Sequence, residues 1–310
     1  MQNDNAMTAD SQAVEQSDKV PSYSWYALSV LVVIYVLNFV DRQILSILAN
    51  DIKADLGLTD EDLGFLYGTA FAVFYALFGI PLGKLADSWH RVKLMTTGLT
   101  VWSMMTALSG FARNGAEMTI ARVGVGVGEA TASPSAYSLI SDYFPARIRA
   151  TALAIYSSGL YIGGGVSLMI GGLIVEGWNE AYPGGGPLGL AGWQAAFIAV
   201  GVPGLLLAIW VATLREPVRG AIDNLPTAPN PEPFKGFVQE LFTVIPPFTI
   251  FGAAKRGVSA LAINLAAMAV FAGLALVLSA WLGTGPGRFF DSVSDQWLFL
   301  GVGYYAVFSF

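Results

Sequence analysis

Four ionisable residues lie inside apolar stretches of this chain: Asp41 and Arg42 late in one stretch, Arg122 and Glu129 within another. A charge at the middle of a membrane span costs roughly 2.5 to 3.5 kcal/mol on insertion scales, so each is a candidate for function. Arg122, Gly126 and Glu129 follow an i, i+4, i+7 spacing, which sets both charges on one helical face with a glycine between them. Asp41 and Arg42 are neighbours and point about 100° apart on a helix, so at most one of them faces the interior squarely. Which one does is open from the sequence. Burial favours the neutral carboxyl and a nearby guanidinium favours the carboxylate, so a glutamate that gains and loses an arginine partner takes up and releases a proton. The chemistry is proton exchange coupled to helix movement. A permanent structural ion pair would need one acid and one base, fewer than these four charges supply.

The elements that carry these residues follow from composition. Of 310 residues, 55% are hydrophobic and 12% are charged, against about a quarter charged in ordinary soluble domains. Several apolar stretches exceed the roughly 20 residues that a helix needs to cross a bilayer. Eight spans are expected, at 24–46, 63–83, 94–111, 118–140, 150–175, 193–214 and 258–282, with a last one opening near Gln296. The class is an all-α, multi-pass integral membrane protein. Span one runs outward and span four inward, so Asp41 and Arg122 sit at matching depth, each roughly 10 Å from the outer end of its helix.

Alternating the connecting segments between two sides separates the basic residues. One side holds Lys19, Lys84, Arg91, Lys93, Arg147, Arg149, Arg215, Arg219, Lys235, Lys255 and Arg256; the other holds Lys53, Arg113 and Arg288. The positive-inside rule then places the amino terminus in the cytoplasm. Residues 1–22 form a polar tail with neither a basic n-region nor an apolar h-region, which reads as disordered and not as a signal peptide. A first half is expected over 23–214, a proline-rich cytoplasmic linker with an interfacial helix over 215–257, and the start of a second half over 258–310. The chain stops at Phe310 inside an apolar segment, as a piece of a longer protein would.

Other function classes are poorly supplied. The chain has no cysteine and one histidine, so thiolate metal sites, cysteine nucleophiles and histidine-based metal sites are not expected. The net charge of −6 argues against nucleic-acid binding. An intramembrane hydrolase would need a nucleophile with a base, or two catalytic aspartates, and only Asp41 stands out within a span. Gly124, Gly126 and Gly128 do not form a dinucleotide loop, because no strand precedes them. With Gly159, Gly163, Gly164, Gly165, Gly171 and Gly172 they instead suit close helix approach, as fixed packing or as a rocking seam.

Residues 83–93 read GKLADSWHRVK, between spans two and three. This resembles the loop signature of the major facilitator superfamily: Gly83, Asp87, Arg91 and Lys93 match in kind, while Ser88 and His90 depart from it. NFVDRQILS at 38–46, RVGVGVGEA at 122–130, DYFPARIRA at 142–150, and the run from Trp193 through Pro203 and Gly204 to Pro217 are together similar to the Spinster family across the first half.

The resemblance implies a bundle of two six-helix halves, the second incomplete here, with inverted three-helix repeats in the first. It implies proton-coupled alternating access that moves an amphiphilic lipid, such as a lysophospholipid or sphingoid phosphate. Asp41, Arg42, Arg122 and Glu129 would form the proton and headgroup site; Gly83, Asp87, Arg91 and Lys93 the cytoplasmic gate, with Asp87 and Arg91 as its charge latch; and Tyr35, Asn38, Phe39 and Tyr137 the cavity lining. No prosthetic group or metal is expected, nor any enzymatic activity. The partners expected are protons, the amphiphile and membrane lipids, with the protein a monomer in a bacterial-type inner membrane. Organic anion and cation symporters of the same superfamily share the span-one and span-four charges and are the alternative. His90 reads as an ordinary loop residue.

Overall fold

The computed structural model describes residues 20–183, 185–228, 230–244 and 248–282, and these are helical wherever they have regular structure. Span one is α1 (Ser22–Ile47), followed by a short surface helix α2 (Ala49–Leu56) that ends on left-handed Gly57. Span two begins as α3 (Asp60–Gly64), passes through a π-helical turn at Phe65–Thr69 and continues as α4 (Ala70–Ser88). Its start is fixed by Thr59, whose hydroxyl accepts from the Asp62 amide at 3.1 Å while the Asp62 carboxylate accepts from the Thr59 amide at 2.9 Å. That reciprocal cap satisfies two of the donors that a helix start leaves free.

Span three is α5 (Arg91–Ser109). Span four, expected as one helix, is two: α6 (Gly115–Glu129) and α7 (Ala132–Tyr143). Pro134 has no N–H to offer the Ala130 carbonyl four residues back, and its ring crowds that carbonyl, so the helix breaks there. The Thr131 hydroxyl donates to the Gly128 carbonyl at 2.8 Å and closes α6. Span five is α8 (Ala146–Ala181), longer than expected at both ends, and span six is α9 (Gly192–Ala212).

Four helical segments of this first body meet the length and apolarity needed to cross a membrane: α1, the α3 to α4 run, α8 and α9. The third and fourth expected spans form helices without meeting that criterion, since α5 is polar at its start and α6 is cut short by the break. The α1 helix lies along α8 as α6 lies along α4, while α5 packs on both α6 and α9. First helix of one repeat against second helix of the other is the relationship that two inverted three-helix repeats produce.

Close approach is carried by selected glycines. A Cβ on Gly163 would lie 2.6 Å from the Val36 carbonyl oxygen and 2.7 Å from Phe39 Cβ, whereas one on Gly164 would meet nothing within 4 Å. The glycine-rich run in α8 therefore has one face built for α1 and one that is open.

The core has two apolar clusters. One contains Leu28, Leu31, Met95, Trp102, Leu139 and Tyr156; the other contains Ile44, Leu48, Met118, Trp193 and Phe197. Along α1 the first ends at Ile34 and the second begins at Val40, with Asn38 and Asp41 at the junction.

The first compact unit extends to Phe234, past the half boundary expected at Leu214. Residues after α9 fold back onto it: Glu216 accepts from Arg91 and from the Val92 amide, and Asp223 accepts from Arg149 at 2.8 Å. The second unit begins at Lys235. It holds most of α10 (Pro233–Val244), then α11 (Phe248–Arg256) and α12 (Val258–Leu282), which is long and apolar enough to cross a membrane over Val258–Leu278. Span eight near Gln296 lies outside the described residues.

Candidate functional site

The rotation of α1 lets both span-one charges border one cavity, in different directions. Arg42 turns towards α6 and its Nε donates to Glu129 Oε2 at 2.7 Å. Glu129 is fully buried, and the Arg42 side chain is 29% exposed, so the pair has one closed end and one open end. Three aromatic rings surround the guanidinium, with centroids 4.8 Å (Tyr75), 5.0 Å (Phe71) and 5.5 Å (Phe39) from its central carbon. Ring faces attract a guanidinium, and more strongly where water is excluded.

Asp41 is fully buried, between α6 and α5. Trp102 Nε1 and Thr106 Oγ1 face its carboxylate from α5, though none of these atoms reaches full hydrogen-bond geometry. Arg122 is buried too; its Nη2 donates to Ser109 Oγ at 3.0 Å, and its guanidinium lies 4.9 Å from the Phe197 ring centroid. Its Nε has no partner, nor has Glu129 Oε1, nor the Asn38 side-chain nitrogen beside it. A buried polar group left unpaired costs about 1–3 kcal/mol. A layer with this many open positions is suited to bind protons, water or a polar ligand group.

The four expected charges thus share one layer, as Arg42 paired with Glu129 and Asp41 near Arg122. Asp41, Arg42 and Arg122 line one cavity of about 170 Å³.

Of the expected lining residues, Tyr35 stacks on Tyr156 at 4.4 Å between centroids, Phe39 packs edge-on to Tyr35 at 5.2 Å, and Tyr137 is edge-on to Tyr156 at 5.7 Å. Phe71, Tyr75 and Tyr156 belong to this aromatic wall and were missed. The signal available was weak: Phe71 and Tyr75 are four apart and so share a face of span two, but nothing in their spacing aims that face at Arg42.

The expected gate residues arrange differently. Gly83 and Asp87 lie within α4 and not in a loop, and a Cβ at Gly83 would meet nothing within 4 Å, so no tight turn requires that glycine. Asp87 is exposed and makes no latch with Arg91. Arg91 is fully buried instead and spreads its fork over Asp142, Glu216 at 2.7 Å, the Ser138 hydroxyl at 3.0 Å and the Pro217 carbonyl at 2.8 Å. The geometric reason is direction: Arg91 opens α5 and points at the end of α7, while Asp87 borders a cavity with Tyr137, Ser138, Asp142 and Arg219. Burial, and then the Arg91 guanidinium, lowers the Arg219 pKa from its ordinary value, while Glu216, Asp142 and Asp87 act against that. Lys93 is exposed. His90 Nδ1 lies 3.1 Å from Glu216 Oε2, so His90 borders the same cluster. Among the described residues, no group of His, Asp or Glu is placed to hold a metal ion.

A buried charged layer inside a bundle of inverted helical repeats marks a multi-pass integral membrane protein. The family model of the Major Facilitator Superfamily matches residues 31–310, and the chain belongs to that superfamily. It is 32% identical over 209 residues to an MFS-type efflux pump of Mycolicibacterium smegmatis, covering 67% of this chain and 45% of that protein. It is 28% identical over 204 residues to a probable L-galactonate transporter of Escherichia coli, covering 66% of this chain and 42% of that one. It resembles the crystal structure of a bacterial homologue of the human lysosomal transporter Spinster, in an inward-facing and occupied conformation. That likeness has a TM-score of 0.62 at 25% identity and covers 94% of this chain and 74% of that structure. The chain spans less than half the length of these two curated relatives.

Proposed function

We propose that the whole protein is a proton-coupled secondary transporter that works by alternating access and carries an amphiphilic anion, such as a lysophospholipid or sphingoid phosphate. The observation that carries this reading is the Arg42 to Glu129 pair, closed on the acid side and open on the arginine side. Protonation of Glu129 releases the guanidinium, which then meets an anionic head; loss of the proton restores the pair and expels the anion. Coupling follows because the proton takes Glu129 and the anion takes Arg42, so each frees the site of the other. Asp41 near Arg122 is a second acid and base in the same layer. The aromatic wall of Tyr35, Phe39, Phe71, Tyr75, Tyr137 and Tyr156 offers an apolar path beside the charge, which suits an acyl tail.

The likeness to the Spinster homologue agrees with the family resemblance from which the amphiphile is read. The likeness to the probable L-galactonate transporter supports a second reading, a small organic anion. In either reading the amino terminus faces the cytoplasm of a bacterial-type inner membrane and the protein acts as a monomer, with Asp87, Arg91 and Lys93 at the cytoplasmic end.

The test is full-length protein in liposomes with an imposed pH gradient, offered a fluorescent lysolipid and a labelled sugar acid in parallel. The amphiphile reading expects gradient-driven movement of the lysolipid alone. Movement of the sugar acid alone supports the second reading, and movement of neither under any gradient overturns proton coupling for both substrates.

A further inference from the structure

The buried Asp41 carboxylate, with neither oxygen bonded, lies at the inner end of the cavity of about 170 Å³, walled by Leu45, Leu66, Tyr67, Phe71 and Val125. A second cavity, of about 220 Å³, is bordered by Ser46, Ala49, Leu63 and Gly64 and shares Leu45 and Tyr67 with the first. The two follow one another along α1 from Asp41 to Ser46, about 7.5 Å at 1.5 Å per residue, and reach Ala49 at the start of α2. They end where Ser46 and Gly64 are exposed.

The outer wall is the irregular start of span two. The π-helical turn at Phe65–Thr69 carries Tyr67, which is 48% exposed and whose hydroxyl donates to Gln43 Oε1 at a long 3.4 Å. Such turns recur at functional positions in helices. A cavity holds a water once it offers about 10–15 Å³ of usable volume and two to four polar partners. Both cavities exceed that volume, and Asp41, Arg42 and Arg122 supply the partners at the inner end.

We propose that these cavities form one hydrated passage through which Asp41 exchanges protons with the aqueous side at the Ala49 end of the bundle, with Tyr67 held to Gln43 as its constriction. The inference rests on the proton-coupled reading of the charged layer and adds the route. The groups that face Asp41 are Arg122 and Glu129 from α6 and Trp102 and Thr106 from α5, with Arg42 beside it on α1. The route supplies Asp41 from one side, past the open arginine end of the Arg42 to Glu129 pair.

The sequence contains no cysteine, so single cysteines report water access directly. Leu45→Cys, Ser46→Cys and Ile44→Cys are placed one at a time in the full-length protein, with any cysteine outside this sequence replaced by serine. Each is treated in sealed vesicles with a membrane-impermeant charged thiol reagent. Ser46 is exposed, Leu45 is 4% exposed and lines both cavities, and Ile44 is fully buried in the adjoining apolar cluster. Leu45→Cys is expected to react within about tenfold of the Ser46→Cys rate, with Ile44→Cys unreactive. A Cβ at Gly64 would meet nothing within 4 Å, so Gly64→Phe fills the outer cavity without a clash at its first atom. It should slow the Leu45→Cys reaction and gradient-driven transport alike by about tenfold. Leu45→Cys as inert as Ile44→Cys overturns the passage, whatever becomes of proton coupling. Slowed labelling with unslowed gradient-driven transport overturns its role in proton exchange.

Discussion

Arg42 and Glu129, 87 positions apart in the chain, meet at 2.7 Å across α1 and α6. The contact joins one helix from each three-helix repeat at the junction of the two apolar clusters, so any relative movement of those helices must stretch or break it.

Removing one member leaves the other unpaired. Arg42→Ala strands a fully buried Glu129, and breaking a buried pair in this way costs about 3 kcal/mol, the low end of the usual range because Arg42 is part exposed. Thermal unfolding of purified full-length protein is expected to show that loss, and the double variant Arg42→Ala, Glu129→Gln to regain most of it. A double variant as unstable as Arg42→Ala would mean that the loss comes from packing.

Arg91 holds the other end of the bundle together. Its donors reach Asp142, Glu216, Ser138 and the Pro217 carbonyl, so Arg91→Gln leaves two acids without their cation. The expected loss is about 3–5 kcal/mol, with Arg91→Lys only partly better because a lysine lacks the planar fork. Asp87→Asn, by contrast, should leave the melting temperature unchanged, since Asp87 is exposed and bonds no arginine here.

Adjacent glycines in α8 should behave oppositely. Gly163→Ala drives a methyl against α1 at 2.6 Å and 2.7 Å, while Gly164→Ala meets open space. Overpacking costs about 1–3 kcal/mol, so the first variant is expected to melt lower and the second to match the parent in the same thermal assay.

The aromatic rings around Arg42 tune how readily it meets an anion. Tyr75→Leu removes the nearest ring, 4.8 Å away, and a cation to ring contact of this kind is worth about 1 kcal/mol. Equilibrium binding of the anionic substrate should change by about fivefold, with no change for a zwitterionic analogue that makes no use of the guanidinium.

Much of the fold could be read from the sequence because bilayer thickness and apolar length set the spans directly. Spans one, six and seven begin and end within about two residues of the helices observed. The break in span four was legible in principle, because Pro134 offers no N–H to the Ala130 carbonyl, but Pro81 and Pro203 sit inside continuous helices, so a proline alone does not mark a break. The π-helical turn in span two left no mark, since Phe65 to Thr69 suit an α-helix equally well. At the site, the shared face of Arg122 and Glu129 follows from spacing within one helix. The pairing of Arg42 with Glu129, and the rings of Phe71 and Tyr75, depend on how helices rotate against each other, which a single pattern of residues does not encode. The same limit explains Arg91, whose partners Asp142 and Glu216 lie 51 and 125 positions away.

The most direct test of the central claim compares two transport modes of Glu129→Gln in liposomes: uptake driven by a pH gradient, and substrate counterflow without one. Coupling through the Arg42 to Glu129 pair predicts that gradient-driven uptake is lost while counterflow and folding persist. Gradient-driven uptake at the parent rate would contradict it.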